Sequence, residues 1–407
     1  MSKADTRVAV FYPWTGLPAL DRGSARRVVP LINLFAAHYF EVKVLSPGIG
    51  HPVKSGNVEY LFQQPSAMEQ VVLKTAHWFF DGILHHSSRA QITPRERRQW
   101  WHYLSVRLQP SLFRRVHELV AWSSIAFSEC PFWGSAIQRA CRKAKKNYLL
   151  TFDDVLSDLV TSSRWLRHRV SACERRASRD AAAVFSVSLH DQQRFNANGI
   201  ATRVVPHGME TQPTLPSVDG REPLPELELL QKKRAEGAIV CLFIGSSLRC
   251  NLEAVDEIRK IAASLANRGD IRFVIAGACL PKGDYGDKIT ALGPVEETVL
   301  LRLYQLTDLV LAPLISGTGT SLKVLEAFVH GKALLSTRVG VRGHPVQDGR
   351  DCIVCDDLER YPEIIIALSS DPARRSELGE SGRRFVKAFD YRVVYQPYLA
   401  EIEKFAR

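Results

Sequence analysis

The chain has 407 residues, 45% of them hydrophobic and 24% charged, and 8 cysteines. That composition excludes a disordered chain, a collagen-like repeat and a small disulfide scaffold, and the length suits two domains. The net charge of +11 is unevenly carried: residues 1–205 hold 28 Lys and Arg against 15 Asp and Glu, a balance of +13, which leaves −2 for residues 206–407. A basic half of this kind expects an anionic partner: nucleic acid, a phospholipid surface or a phosphorylated acceptor. No apolar stretch approaches the roughly 18–20 residues of a membrane span. The start MSKADTRVAVFYP lacks the apolar core of a secretory signal, so the expected location is the cytoplasm.

In chain order, RVAVFYP (7–13) reads as a strand, followed by a Gly/Pro-rich loop, an amphipathic helix over 24–38 and the strand EVKVLSPG (41–48). Residues 68–121 are helical in spacing and rich in aromatic and basic side chains. Strands are then expected at 126–130, 148–152, 183–187 and 202–208, with helices over 133–145 and 165–180. A polar stretch, 211–236, reads as a linker with one short helix. After it the alternation is cleaner: strands at 238–245, 271–277, 308–313, 332–337 and 351–355, with helices over 251–267, 296–306 and 320–330. Apolar runs without polar alternation imply strands covered on both faces, hence an α/β fold of doubly wound parallel sheets. Cys352 and Cys355 form the one C-x-x-C pair, with no second pair or His partners to complete a zinc site. They are expected to pack in a buried strand.

The most informative segment is PLISGTGTSLKVLEAFVHGKALLSTRVGVRGHPVQDG (313–349). A strand ends at Pro313, a loop holds Gly317 and Gly319, and a helix starts near Thr320. Glycines permit close backbone approach, and a helix start offers free N–H groups and partial positive charge. Thr320 and Ser321 add hydroxyls and Lys323 a mobile cation, a set that suits a diphosphate. Glu326 stands two turns along, where it can accept hydrogen bonds from a ribose. By spacing alone, an ordinary strand–loop–helix turn with a solvated Glu accounts for the segment equally well.

The same segment resembles the nucleotide-sugar motif of GT-B glycosyltransferases, specifically the retaining family 4 group (glycosyl transferases group 1). Other segments follow in family order: YPWTGLPALDRGSARR (12–27) resembles the glycine-rich loop after the first strand, and AVFSVSLHDQQRF with VVPHGME (183–210) the end of the acceptor domain. FIGSSLRCNLEAV (243–255) resembles the first strand and phosphate loop of the donor domain, and VIAGACL with ITALGPV (274–295) the strand pair flanking the nucleobase. The resemblance implies two facing Rossmann-like αβα domains with a cleft between them. Residues 1–208 would bind the acceptor, with the C-terminal helix 391–407 packing back on them, and residues 209–390 would bind the nucleotide sugar.

Carried over residue by residue, the resemblance implies that Glu326 binds the ribose and that Lys323 with the Gly317, Thr318, Gly319, Thr320 and Ser321 backbone holds the diphosphate. Gly245, Ser246 and Arg249 form the facing phosphate loop, and Ile289 and Thr290 lie near the nucleobase. The family pairs two acidic residues eight positions apart, and counting back from Glu326 lands on Thr318. The carboxylate that contacts the donor sugar is therefore replaced here. Asp153, in TFDDVLSD, matches a strand end where relatives face the reacting sugar, and Glu129, in SECPF, is a second catalytic candidate. Helix capping by Asp154 or Asp158 is the plainer account of that acidic run. Gly23 and Arg26 are placed to meet a phosphate or the acceptor.

No D-x-D sequence occurs. Without that metal-holding pair, the leaving diphosphate is expected to be stabilised by Arg, Lys and a helix N-terminus, with no metal and no cofactor beyond the nucleoside-diphosphate sugar as co-substrate. In 74–115, Trp78, Phe79, Phe80, Trp100, Trp101 and Tyr103 interleave with Arg95, Arg97, Arg98, Arg107, Arg114 and Arg115. This mixture suits an anionic membrane surface, or a helical face with its arginines in solvent; nucleic acid is not the expected partner. The expected function is transfer of a sugar to a hydroxyl of a glycan or lipid-linked acceptor in bacterial surface polysaccharide synthesis. A non-catalytic subunit and a nucleotide-sugar 2-epimerase on the same fold are the alternatives.

Overall fold

The computed structural model describes residues 6–14, 17, 23–38, 41–86, 101, 105–160, 164–211, 225–286 and 288–405. The chain divides into two compact units, one built from residues 1–19, 27–206 and 395–407, the other from 20–26 and 207–394.

The first unit carries β1 (Arg7–Phe11), β2 (Glu41–Pro47), β3 (Val53–Ser55), β4 (Val58–Gln63), β5 (Ile125–Glu129), β6 (Asn147–Phe152), β7 (Ala183–Ser186) and β8 (Arg203–Val204). They form one sheet in the order β3-β4-β2-β1-β5-β6-β7-β8, parallel except for β3 against β4. The second unit carries β9 (Ile239–Ile244), β10 (Ile271–Ala276), β11 (Gly283–Asp284), β12 (Ile289–Gly293), β13 (Leu309–Ala312), β14 (Ala333–Ser336) and β15 (Ile353–Val354). Its order is β11-β12-β10-β9-β13-β14-β15, again parallel except at the β11 edge. Leaving aside those edge strands, both sheets share one doubly wound topology whose strand order reverses beside the first strand, at β1/β5 and at β9/β13. Ligands of such sheets bind outside the carboxyl ends of the strands at that reversal.

The apolar runs become central strands sealed on both faces: β1 residues Val8 to Phe11 and all of β13 and β14 are buried. Helices cover each sheet, among them Gly23–Ala37, Gly134–Ala144 and Arg164–Ser178 in the first unit, and Arg249–Ser264, Leu322–Val329 and Pro372–Val386 in the second.

Three elements differ from the sequence expectation. The β3–β4 hairpin lies where no strand is expected, although its turn signal is present: Gly56, at φ +56°, and Asn57 form a two-residue connection between paired Ser55 and Val58. The expected strand 202–208 shortens to Arg203–Val204, and 351–355 to Ile353–Val354 at the sheet edge, because Pro206 and the carboxylates around the second segment end pairing. Cys352 is buried there and Cys355 half-buried, both as free thiols. At the C-terminus, Gln396–Glu403 packs into the first unit while Tyr391–Val394 stays with the second.

Candidate functional site

In the second unit, the reversal point is built around two close backbone approaches. Gly245, directly after β9, donates its N–H to Ala276 O (3.0 Å) and accepts from Cys279 N (3.1 Å). Gly277, at φ +100°, lies so close that a Cβ on it would sit 2.2 Å from Gly245 O. Only glycine fits there. Asn251 then links this turn to the helix after β13. Its Nδ2 donates to Ser246 O and Oγ, both at 3.1 Å, and its Oδ1 accepts from Lys323 Nζ at 3.0 Å. Lys323 also lies 5.1 Å from the centroid of the Phe243 ring. Burial pushes the Lys323 ammonium down to about 8, so the cation titrates near neutrality and gains most from an anion beside it.

The loop after β13 is shaped by Gly317, at φ +124°, and Gly319, at φ +67°. Arg342 holds it from behind: Nε donates to Gly319 O (2.8 Å), Nη2 to Thr318 O, and Nη1 to Val339 O (3.1 Å). His344, buried and pushed down to about 4 by that burial, meets Ser321 O through Nε2 at 3.1 Å. Ser321 occupies the N-cap of Leu322–Val329 with no side-chain cap bond. Its Oγ and the Oγ1 of Thr320 are buried and have no hydrogen-bond partner among the described residues. These hydroxyls stand at the end of a helix where four N–H groups also lack intrahelical acceptors.

Glu326, 6% exposed, accepts from Tyr304 OH at 3.2 Å, and Tyr304 stacks on His330 with centroids 4.2 Å apart. Arg26 groups with this unit, and its Nη1 lies 3.4 Å from Glu326 Oε1 and 3.9 Å from Glu297. The helix Gly23–Ala37 opens at Gly23.

Of the sequence-predicted donor residues, the structure thus gathers Gly245, Ser246, Gly317, Thr318, Gly319, Thr320, Ser321, Lys323 and Glu326 around one turn and one helix. Two expectations fare differently. Arg249 is exposed and paired with Glu253, Nε to Oε1 at 2.7 Å, one helical turn along its own helix. Ile289 and Thr290 open β12 at its amino end, where Ile289 is buried in the core and Thr290 donates to Asp284 (3.2 Å). The carboxyl end of that strand, at Gly293, is the one level with Gly245 and the β13 loop, because all these strands run parallel. Sequence reasoning overlooked Arg342, His344, Asn251 and Tyr304. Arg342 and His344 fall within the informative segment 313–349, but a residue that braces a loop from behind leaves no spacing signal.

In the first unit, Glu129 ends β5 and Asp153 follows β6. Arg27, in the second turn of Gly23–Ala37, sits between them. Its Nη1 pairs with Glu129 Oε1 (2.7 Å) and with Asp153, and its Nη2 donates to Thr151 Oγ1 (2.5 Å) and Tyr398 OH (3.0 Å). Desolvation opposes the Arg27 charge, but Glu129 and the Tyr398 and Tyr395 hydroxyls outweigh it and keep the guanidinium ionised. Burial pushes the Glu129 carboxyl up against the pull of Arg27. Donor atoms of Glu129, Cys130 and Asp153 all lie within 4.8 Å of one another, and Arg27 supplies the positive charge at that cluster. Glu129 is fully sealed, whereas the Asp153 side chain is 15% exposed. Of the two carboxylates, Asp153 is therefore the one a substrate hydroxyl can reach. Cys130 follows Glu129 at φ +66°, in the left-handed region, a strained conformation of the kind concentrated at functional sites. Asp158, rather than capping a helix, makes a two-point pair with Arg194 (both 2.7 Å).

Among the aromatic-basic residues of 74–115, Trp78 is 71% exposed. Trp100, Tyr103, Arg95, Arg97 and Arg98 lie outside the described residues, as do the side chains of Phe79 and Phe80. No helix among the described residues is long and apolar enough to cross a membrane.

Residues 238–371 match the family described as glycosyl transferases group 1. A D-inositol 3-phosphate glycosyltransferase of Arthrobacter sp. (strain FB24) is 25% identical over 189 residues, a match that spans 42% of this chain and 44% of that protein's length. Among solved structures, sucrose-phosphate synthase from Thermosynechococcus elongatus superposes with a TM-score of 0.73 at 16% identity, covering 98% of this chain and 99% of the other. Anabaena HepE in complex with UDP and glucose superposes with a TM-score of 0.67 at 14% identity, covering 98% and 100%. The fold is that of the GT-B glycosyltransferases, and residues 238–371 of the second unit resemble the group 1 glycosyl transferases.

Proposed function

We propose that this chain transfers a glycosyl group from a nucleoside-diphosphate sugar to a hydroxyl of a glycan or lipid-linked acceptor, with retention and without a metal ion, in the synthesis of a bacterial surface polysaccharide. The observation that carries the donor half is the pair of buried, unpartnered hydroxyls of Thr320 and Ser321 at the start of Leu322–Val329, with Lys323 beside them. A buried donor without an acceptor costs free energy that a bound anion returns. A diphosphate, rich in acceptor oxygens, is the ligand this donor set fits.

In this reading Lys323 and the helix amides meet the diphosphate, and Glu326 accepts from the ribose. When the bond between the anomeric carbon and the diphosphate oxygen breaks, the electron pair stays on the diphosphate, and these cations and amides stabilise it. Asp153, beside Arg27, orients the acceptor hydroxyl or takes its proton. Membrane contact is supported by Met68, Val71 and Trp78, exposed on one face of Ala67–His86.

The test is calorimetric titration with UDP, GDP, ADP, CMP and TDP, with and without Mg²⁺; UDP, which the HepE structure holds, comes first. One nucleotide binding equally in both conditions, and lost in Glu326→Ala and Lys323→Ala while both variants stay folded, is the expected result. No binding by any nucleotide would overturn the reading in favour of a non-catalytic subunit, with Thr318 in place of a carboxylate as its cause. Donor turnover without acceptor would instead identify an epimerase.

A further inference from the structure

The basic excess of the first unit has a focus that the transfer chemistry does not use. Helix Arg164–Ser178, RWLRHRVSACERRAS, places Arg169, Cys173 and Arg176 at i, i+4 and i+7, on one face. That face closes on a recess of about 130 Å³, which Arg107 lines from the 3-10 turn Val106–Leu108, with Phe132 and Ser135 on the far wall. The volume is on the order of ten times what one water needs, room enough for a phosphate ester. All three arginines line the same recess as Cys173; burial pushes that thiol up, Arg176, Arg107 and Arg169 pull against it, and the neighbouring Glu174 pushes with the burial. No carboxylate lines the recess, and among the described residues none of the three arginines is ion-paired. Arg169 instead lies 5.2 Å from the Trp165 ring centroid. The second recess of this unit, beside Arg175, Arg179 and Arg203, differs, because its Arg203 is already paired with Glu401.

Place adds to charge. Pro131 and Phe132 of the recess follow Glu129 within three residues, so it opens at the carboxyl end of β5, on the side of the sheet that carries Asp153. We propose that Arg107, Arg169 and Arg176 form a phosphate-ester site that holds the phosphate or diphosphate group of the acceptor. Naming the ligand as acceptor rests on the transferase reading; the anion site does not. Three exposed guanidiniums lining one recess beside Phe132 can offer a dianion several charge-assisted hydrogen bonds at once.

The same chemistry belongs to a soluble sugar phosphate and to a phospholipid headgroup, and the experiment separates them. Inorganic pyrophosphate and glycerol phosphate are titrated into the full chain with its donor site saturated by the nucleotide found above. The protein is also sedimented with phosphatidylcholine vesicles with and without phosphatidylglycerol. The variants are Arg169→Gln, Arg176→Gln and Arg107→Gln, all exposed and compatible with folding, with Arg179→Gln as a control for charge alone. At least about tenfold weaker pyrophosphate binding in each of the three, with the control unchanged, supports the site and a soluble ester. Loss of vesicle binding alone in the three supports a headgroup ligand. Equal anion and vesicle binding in wild type and all variants, or equal loss in Arg179→Gln, overturns the site. Nucleotide binding is read in parallel on every variant: its absence in wild type overturns the transferase reading, while the pyrophosphate result still judges the recess.

Discussion

At the strand ends of the first unit one guanidinium, Arg27, answers two carboxylates and is itself held by Thr151 and Tyr398. At the strand ends of the second, Thr320, Ser321 and the first turn of a helix offer donors that the described chain does not fill. Around the reversal point the strand order is the same in both units, β4-β2-β1-β5-β6-β7 matching β12-β10-β9-β13-β14-β15, so the difference lies in the side chains grafted onto it. In the first unit opposite charges meet one another although Arg27 Nε and Glu129 Oε2 keep no hydrogen-bond partner among the described residues, whereas in the second the open atoms are neutral hydroxyls at a helix start, which an anion from outside would complete. On the proposed reading the first serves as a positioned base with its counter-ion and the second as the donor-binding site.

The largest effect is expected from breaking the closed cluster. Glu129→Ala leaves Arg27 buried with Asp153 as its remaining carboxylate, and removing one partner of a buried pair costs about 3–5 kcal/mol. A denaturant titration should show a loss of about 3 kcal/mol, and an unchanged midpoint would refute the view that Glu129 neutralises the buried Arg27 charge.

The open site is expected to respond through affinity rather than stability. Because burial holds Lys323 at about 8, nucleotide affinity should fall roughly tenfold as pH rises from about 7 to about 9. Lys323→Arg should flatten that profile. Stability runs the other way: the folded group's value lies below its ordinary 10.5, so the unfolded chain holds the proton more tightly. The contribution of Lys323 therefore becomes more favourable as pH climbs from about 8 to about 10.5. Parallel trends in binding and stability would contradict a burial-depressed lysine.

The smallest effect is expected at the support behind Glu326. Tyr304→Phe removes one hydrogen bond, about 0.5–1.5 kcal/mol, and leaves the Arg26 contact in place. Nucleotide affinity should drop less than about tenfold; a complete loss would mean that Tyr304 touches the ligand itself.

Both doubly wound sheets were legible because buried parallel strands need unbroken apolar runs such as VAVF and LVLA, and these cannot be mistaken for amphipathic surface. The loop at 313–326 was equally legible, since glycines, hydroxyls, a lysine and a glutamate must stand at fixed offsets from a helix start. The Arg249–Glu253 pair was not legible, because a cation in a phosphate-loop sequence can equally meet a glutamate at i+4, and only the helix face shows the contact it makes. The position of Ile289 and Thr290 at the amino end of their strand was not legible, because that strand could not be given its ends from sequence.

The sequence by itself determined the two-sheet architecture, the charge asymmetry between halves and the helix-start donor set, all of which depend on residues close together along the chain. The tertiary structure decided which charges meet. Arg27 with Glu129, Asp153 and Tyr398, Arg342 behind Thr318 and Gly319, and Arg107 beside Arg169 and Arg176 join residues brought together by topology. Side chains from different elements share an environment only once the strands have been ordered and the helices laid across them.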